Sequence, residues 1–274
     1  MTTPAPPSTP TAALRVFDLA FADMLWSRRT FFMAFVVGGP VFLALLYRVL
    51  LATHLGDVRV DGVGVGEAAV FSALVWVYVQ FTVPVLAVFY ATALIADEVE
   101  DRTITYLFTR PIRRGAVLAG KYLAYLACTV FVVLPAILVV FFLAVPLASL
   151  GPTFPHVLAN LGIVFVGLAA YGALFAWVGT ATKRPLVAGL LFIFGWEPAV
   201  MFVPGYLKKL TVQHYLQALM PQAMPEGGLG SVMQSLFQDA PSVPAAVATL
   251  VAVSAAFIWL AGLAIERREY VLEQ

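Results

Sequence analysis

YLAYLACTVFVVLPAILVVFFLAVPLASL, residues 122–150, carries no charged side chain from end to end. A helix needs about 20 mostly apolar residues to cross a bilayer. This run exceeds that length, so it reads as a transmembrane helix long enough to tilt or to project past the hydrocarbon. The whole chain shares its character. The 274 residues are 62% hydrophobic and 11% charged, with a mean hydropathy of +0.93. Soluble domains carry about 25% charged residues, so a soluble class is excluded. Working outward from this stretch gives six spans: Phe31–Leu51, Ala68–Ala96, Tyr122–Leu150, Val157–Ala181, Leu186–Val203 and Ala245–Ile265. The expected fold class is an all-α polytopic membrane protein. Pro40, Pro84, Pro135, Pro146 and Pro198 lie inside these runs and should kink them, which packing in a bundle tolerates.

The flanks divide the chain further. Residues 1–10, MTTPAPPSTP, hold too few apolar groups to fold and read as a disordered tail. The first long apolar run starts far from the N-terminus and no small-residue cleavage pattern follows it, so no secretory signal is expected. Over residues 11–29, Leu14, Phe17, Phe21, Met24 and Leu25 recur at helical spacing while Arg15, Asp18 and Asp23 lie off that stripe. This pattern predicts an amphipathic helix in the membrane interface. Residues 30–274 make the six-span domain. Its loop over 204–244 carries Leu207, Leu210, Leu216 and Leu219, then Leu229, Val232, Met233 and Leu236. Two short interfacial or re-entrant helices are expected there, because a structureless apolar loop of this length is unusual.

Lysine and arginine set the orientation. Arg15, Arg28, Arg29, Arg102, Arg110, Arg113, Arg114, Lys121, Lys183, Arg184, Arg267 and Arg268 fall on one side of the six spans. Only Arg48, Arg59, Lys208 and Lys209 fall on the other. The positive-inside rule places both termini and the loop over residues 97–121 in the cytoplasm of a cell membrane.

Few residues suit catalysis or metal binding. Cys128 is the single cysteine and sits in an apolar run, where it reads as a packing residue. His54, His156 and His214 are isolated, so no metal site is expected. GAVLAGKY, residues 115–122, stops one residue short of a phosphate-binding P-loop: Gly115, Gly120 and Lys121 fit, but Tyr122 replaces the Ser/Thr that ligates magnesium. No alternating strand and helix pattern surrounds it, so Lys121 reads instead as the end of the third span, its ammonium in water. Glu197 is the only acid deep in a span. An acid at that depth is a functional candidate: a substrate contact, an outer gate or a proton carrier. The alternative is a hydrogen-bonded anchor for the following loop, through His214 or Tyr215.

The loop over 97–121 is patterned. Acids come first (Asp97, Glu98, Glu100, Asp101), then TITYLFTRPI, then Arg110, Arg113, Arg114 and Lys121. A short helix fits there, with acids near its positive end and Arg110 near its negative end. Charge alone leaves two readings open, a docking surface and a solvated loop. The string IADEVEDRTITYLFTRPIRRGAVLAGKYLAYL resembles the permease subunits of ABC-2 type transporters. Glu98, Thr103, Leu107, Pro111, Arg113, Gly120 and Lys121 match that family's pattern in order, while Arg102 stands where the family usually has Gly.

The resemblance implies a non-enzymatic transmembrane permease, an exporter working by alternating access. It implies that ATP and Mg²⁺ bind in a separate ATP-binding subunit, that a second permease copy or homologue completes a dimer, and that nucleic acid is no partner. Glu98, Thr103, Thr105, Leu107, Phe108, Pro111 and Arg113 are then expected to couple the chain to the ATP-binding subunit. Two other readings remain: a proton-coupled secondary transporter using Glu197, and a membrane anchor without transport of its own. The weakly charged spans permit lipids, hydrophobic drugs or peptides as cargo.

Overall fold

The computed structural model describes residues 9–27, 29–53, 59–60, 63–64, 67–95, 114–146, 149–201, 206–220 and 241–267. Within them the chain is an all-α polytopic membrane protein, apart from one antiparallel pair of two-residue strands, β1 (Arg59–Val60) and β2 (Val63–Gly64). Five helices among the described residues are long and apolar enough to cross a membrane. Helix α1 (Thr9–Leu25) begins two residues before the predicted amphipathic segment. Its half-buried Phe21, Met24 and Leu25 pack on the core, while Arg15, Asp18 and Asp23 are exposed. The corner into α2 (Arg29–Ala52) is held by hydroxyl groups: Ser27 Oγ donates to the Met24 carbonyl at 3.1 Å and Thr30 Oγ1 to the Leu25 carbonyl at 2.7 Å. These bonds satisfy carbonyls that the end of a helix leaves without intrahelical partners.

The second span is a helix over Ala69–Ile95 containing a wider turn. It is made of α3 (Glu67–Val77), a π-helical turn at Tyr78–Thr82, and α4 (Val83–Ala91) with a short continuation to Ile95. The third is α5 (Arg114–Ala144) and the fourth α6 (Leu150–Ala181). The third span differs from its expected bounds. It starts eight residues earlier, so Gly115–Lys121 is helix rather than loop, and it stops at Ala144, just before Pro146. Pro146 therefore ends the helix instead of kinking it, having no N–H to continue the ladder.

The fifth run also departs from a simple span. It comprises α7 (Pro185–Leu191), a π-helical turn at Phe192–Trp196, and α8 (Glu197–Met201). This apolar helix over Pro185–Val200 is shorter than the other five. At 1.5 Å per residue it covers roughly 24 Å, less than the hydrocarbon thickness of about 30 Å. A 3₁₀ turn (Tyr206–Leu210) and α9 (Val212–Leu219) follow, and α10 (Val243–Arg267) is the last helix.

Both π turns have one cause. Pro84 and Pro198 each stand two residues past the end of a π turn. A proline cannot donate to the carbonyl four residues back, and its ring collides with that carbonyl. The helix widens by one residue upstream to relieve the collision. The two turns are neighbours, with the Phe81 and Phe194 rings 6.4 Å apart.

Helix directions follow from close contacts. A β-carbon on Gly167 would meet Val83 at 3.3 Å, and one on Gly179 would meet the Thr92 carbonyl oxygen at 2.5 Å. Rising numbers on both helices mean that the second span and α6 run parallel. Gly189 of α7 faces Phe175 while Glu197 of α8 meets Tyr171, so α7 and α8 return antiparallel to α6. Buried tyrosines bind these helices through backbone carbonyls. Tyr78 Oη donates to Val37 O at 2.9 Å, Tyr122 Oη to Ala169 O at 2.8 Å and Tyr125 Oη to Leu168 O at 3.1 Å. Gly172 makes the last of these possible, since a β-carbon there would enter the Tyr125 ring.

Candidate functional site

Glu197 opens α8, directly after the second π turn, and is buried (2% exposed). Tyr171, on the facing side of α6, donates its hydroxyl to the Glu197 carboxyl group, 2.8 Å from Oε1 and 2.6 Å from Oε2. Phe175 stacks on the Tyr171 ring at 6.0 Å and fixes its direction. The backbone N–H of Gln213, in the first turn of α9, donates to the same carboxyl group. An acid at a helix N-terminus meets N–H groups that lack intrahelical partners and the positive end of the helix dipole. Thr211 caps the same turn, its hydroxyl accepting from the His214 N–H at 3.4 Å. One carboxyl group thus joins α6, α8 and α9.

Packing reinforces this junction. Leu216 of α9 is fully buried and would touch a β-carbon on Gly167 at 3.2 Å. Helix α9 therefore lies against α6 and α10 rather than apart from the bundle. His214 and Tyr215, the expected partners of Glu197, pack edge to face on each other at 5.3 Å. Tyr171 and the Gln213 N–H take the role assigned to them. A tyrosine in an apolar span was the available sequence signal for the former, but its partner was not legible.

The second notable group is Lys121. Its Nζ donates to the Leu94 carbonyl at 2.9 Å. The half-buried ammonium thus has a backbone partner that the sequence did not show. The near P-loop, Gly115–Lys121, lies within α5. Leu94 stands beside Ile95, the last described residue of the second span. A charged donor on a backbone carbonyl makes a stronger hydrogen bond than a neutral one. Glu98, Thr103, Thr105, Leu107, Phe108, Pro111 and Arg113 lie outside the described residues, as do Leu229, Val232, Met233 and Leu236. Among the described residues no cluster of three or more His, Cys, Asp or Glu is placed to hold a metal ion.

Long apolar helices running in alternate directions, with a polar junction tied inside them, define a multi-pass membrane protein. The chain matches the family model described as ABC-2 family transporter protein over residues 12–270. It belongs to that family and is an ABC-2 type permease, the transmembrane component of an ABC transporter. Such a permease associates in the membrane with an ABC ATP-binding subunit. A search of curated proteins finds none that matches.

Proposed function

We propose that this chain is a six-span exporter permease of the cell membrane, pairing with a second permease and driven by ATP hydrolysed, with Mg²⁺, in a separate subunit. The observation that carries the reading is the family match, which spans nearly the whole chain. The distribution of Lys and Arg supports cytoplasmic termini. Helices α7 and α8, short and widened by a π turn, make the fifth span, with the 3₁₀ turn and α9 packed back against the bundle at the outer side. Residues 97–121 receive the motion of the ATP-binding subunit. Glu98, Thr103, Thr105, Leu107, Phe108, Pro111 and Arg113 make the contact, and ATP closure shifts the permease between states to which ATP binds with different affinity.

Topology is checked by cysteine labelling. Gly64→Cys and Gly228→Cys should react from outside intact cells, while Arg113→Cys and Gln274→Cys should react only after permeabilisation. External labelling at Arg113 would overturn the orientation. Coupling is checked in the complex that co-purifies with the ATP-binding subunit. Cysteines at Thr105 and Phe108 should crosslink to that subunit in an ATP-dependent way, and Glu98→Ala or Arg113→Ala should weaken its ATPase coupling without loss of membrane insertion. An exposed charge pair contributes only about 0–1 kcal/mol, so a large loss would mark a desolvated contact. Absence of every crosslink, with coupling intact across alanine substitutions from Glu98 to Arg114, would remove residues 97–121 from the drive.

A further inference from the structure

We propose that Lys121 is a positioning residue that fastens the two stems of the 97–113 segment together, so that force on this segment moves α4 and α5 as one body. The proposal rests on the reading of that segment as the contact with the ATP-binding subunit. One stem is the second span, described as far as Ile95, and the other is α5, described from Arg114. Lys121 lies two turns inside α5, roughly 10 Å along its axis from Arg114. From there its Nζ reaches back to the Leu94 carbonyl at 2.9 Å.

The same few residues are fixed from a second side. The Thr92 carbonyl oxygen lies against Gly179 of α6, so close that a β-carbon on Gly179 would stand 2.5 Å from it. Thr92 is itself buried, and its hydroxyl is turned back onto the Val88 carbonyl. The second span is thereby bound at Leu94 to α5 by a charge-assisted hydrogen bond and at Thr92 to α6 by backbone packing. Both helices are also tied to α6, the second span through Thr92 against Gly179 and α5 through the Tyr122 and Tyr125 hydroxyls; Lys121 adds the direct polar tie between the second span and α5. A charged donor on a carbonyl is stronger than a neutral pair and holds a defined direction.

The test uses the full chain in complex with its ATP-binding subunit in lipid nanodiscs, with ATP as the probe. A cysteine at Phe108 reports arrival of the motion at the loop by crosslinking. Spin labels at Leu210 and Val243, both exposed, report its arrival at the far end. In the wild type, ATP should change both signals. Lys121→Met keeps the apolar stem and removes the donor. It should preserve the ATP-dependent Phe108 crosslink and leave about tenfold fewer molecules shifted at the far end. Lys121→Arg, which keeps a charged donor, should restore the shift, and Lys121→Gln should fall between. This order separates positioning from a general loss of stability, which would weaken both signals together. A Lys121→Met protein that transmits as the wild type does, with its loop crosslink intact, would overturn the clamp and leave the loop reading standing. A wild-type complex without any ATP-dependent Phe108 crosslink would overturn both.

Discussion

Gly179→Ala is expected to destabilise the bundle by about 3 kcal/mol, the upper end of the ordinary cost of overpacking. The reason is the identity of the neighbour. The new methyl group would stand 2.5 Å from a backbone carbonyl oxygen, that of Thr92, which cannot rotate away as a side-chain tip can. Relief requires α4 to shift off α6, which would open a buried contact along that helix pair. The measurement is built into the chain. Cys128 is its only thiol and is buried, so a thiol-reactive dye reports unfolding on heating. Gly162→Ala is the control: nothing lies within 4 Å of its β-carbon position, and Ala in a helix is preferred over Gly by about 0.5–1 kcal/mol. Gly179→Ala should melt well below the wild type and Gly162→Ala at or slightly above it. Equal melting of the two variants would show that α4 and α6 are not in the contact described.

Disrupting the Glu197 junction should have the next largest effect. Glu197→Ala removes both acceptors of the Tyr171 hydroxyl and the carboxyl group facing the first turn of α9, at an expected cost of about 3 kcal/mol, the upper end for a buried polar group left without its partner. Tyr171→Phe and Glu197→Gln are milder. Interhelical hydrogen bonds in membranes average about 0.6 kcal/mol and reach about 1.7, because the unfolded chain also finds partners. The double-mutant cycle should give a coupling near the upper figure, since one hydroxyl lies within hydrogen-bonding distance of both carboxyl oxygens of a buried acid. The same thiol assay measures it. Hydrogen exchange supplies the local readout: amides of α9, Val212–Leu219, should exchange faster in Glu197→Ala while those of α6 stay protected. Unchanged exchange in α9 would mean that Leu216 packing alone holds this helix, with Glu197 incidental.

Much of this protein follows from its sequence without reference to tertiary contacts. Uninterrupted apolar runs dictate membrane helices, because no other open structure satisfies its own backbone in hydrocarbon. That argument sufficed for the all-α polytopic class and for most of the helix positions. The ordered string from Glu98 to Lys121 carried the family resemblance, and the family match is in accord with it. The amphipathic stripe of α1 was legible too, since periodicity records which face meets a neighbour.

Other features depended on neighbours distant in the chain. Five prolines in apolar runs all look like kinks in one dimension, yet Pro84 and Pro198 lie just past π turns, Pro146 ends a helix, and Pro40 and Pro135 lie inside continuous ones. The outcome depends on whether surrounding helices hold the displaced carbonyls. Helix α5 extends back through Gly115–Lys121, and the Leu94 carbonyl, 27 residues away along the chain, accepts a hydrogen bond from Lys121. Glu197 was legible as a buried acid because hydropathy places it deep in a span. Its bond to Tyr171, 26 residues away along the chain, is set by the antiparallel return of α7 and α8 along α6. Composition and period determine which segments enter the membrane; close approach at glycines and the pairing of buried polar groups determine which segments meet there.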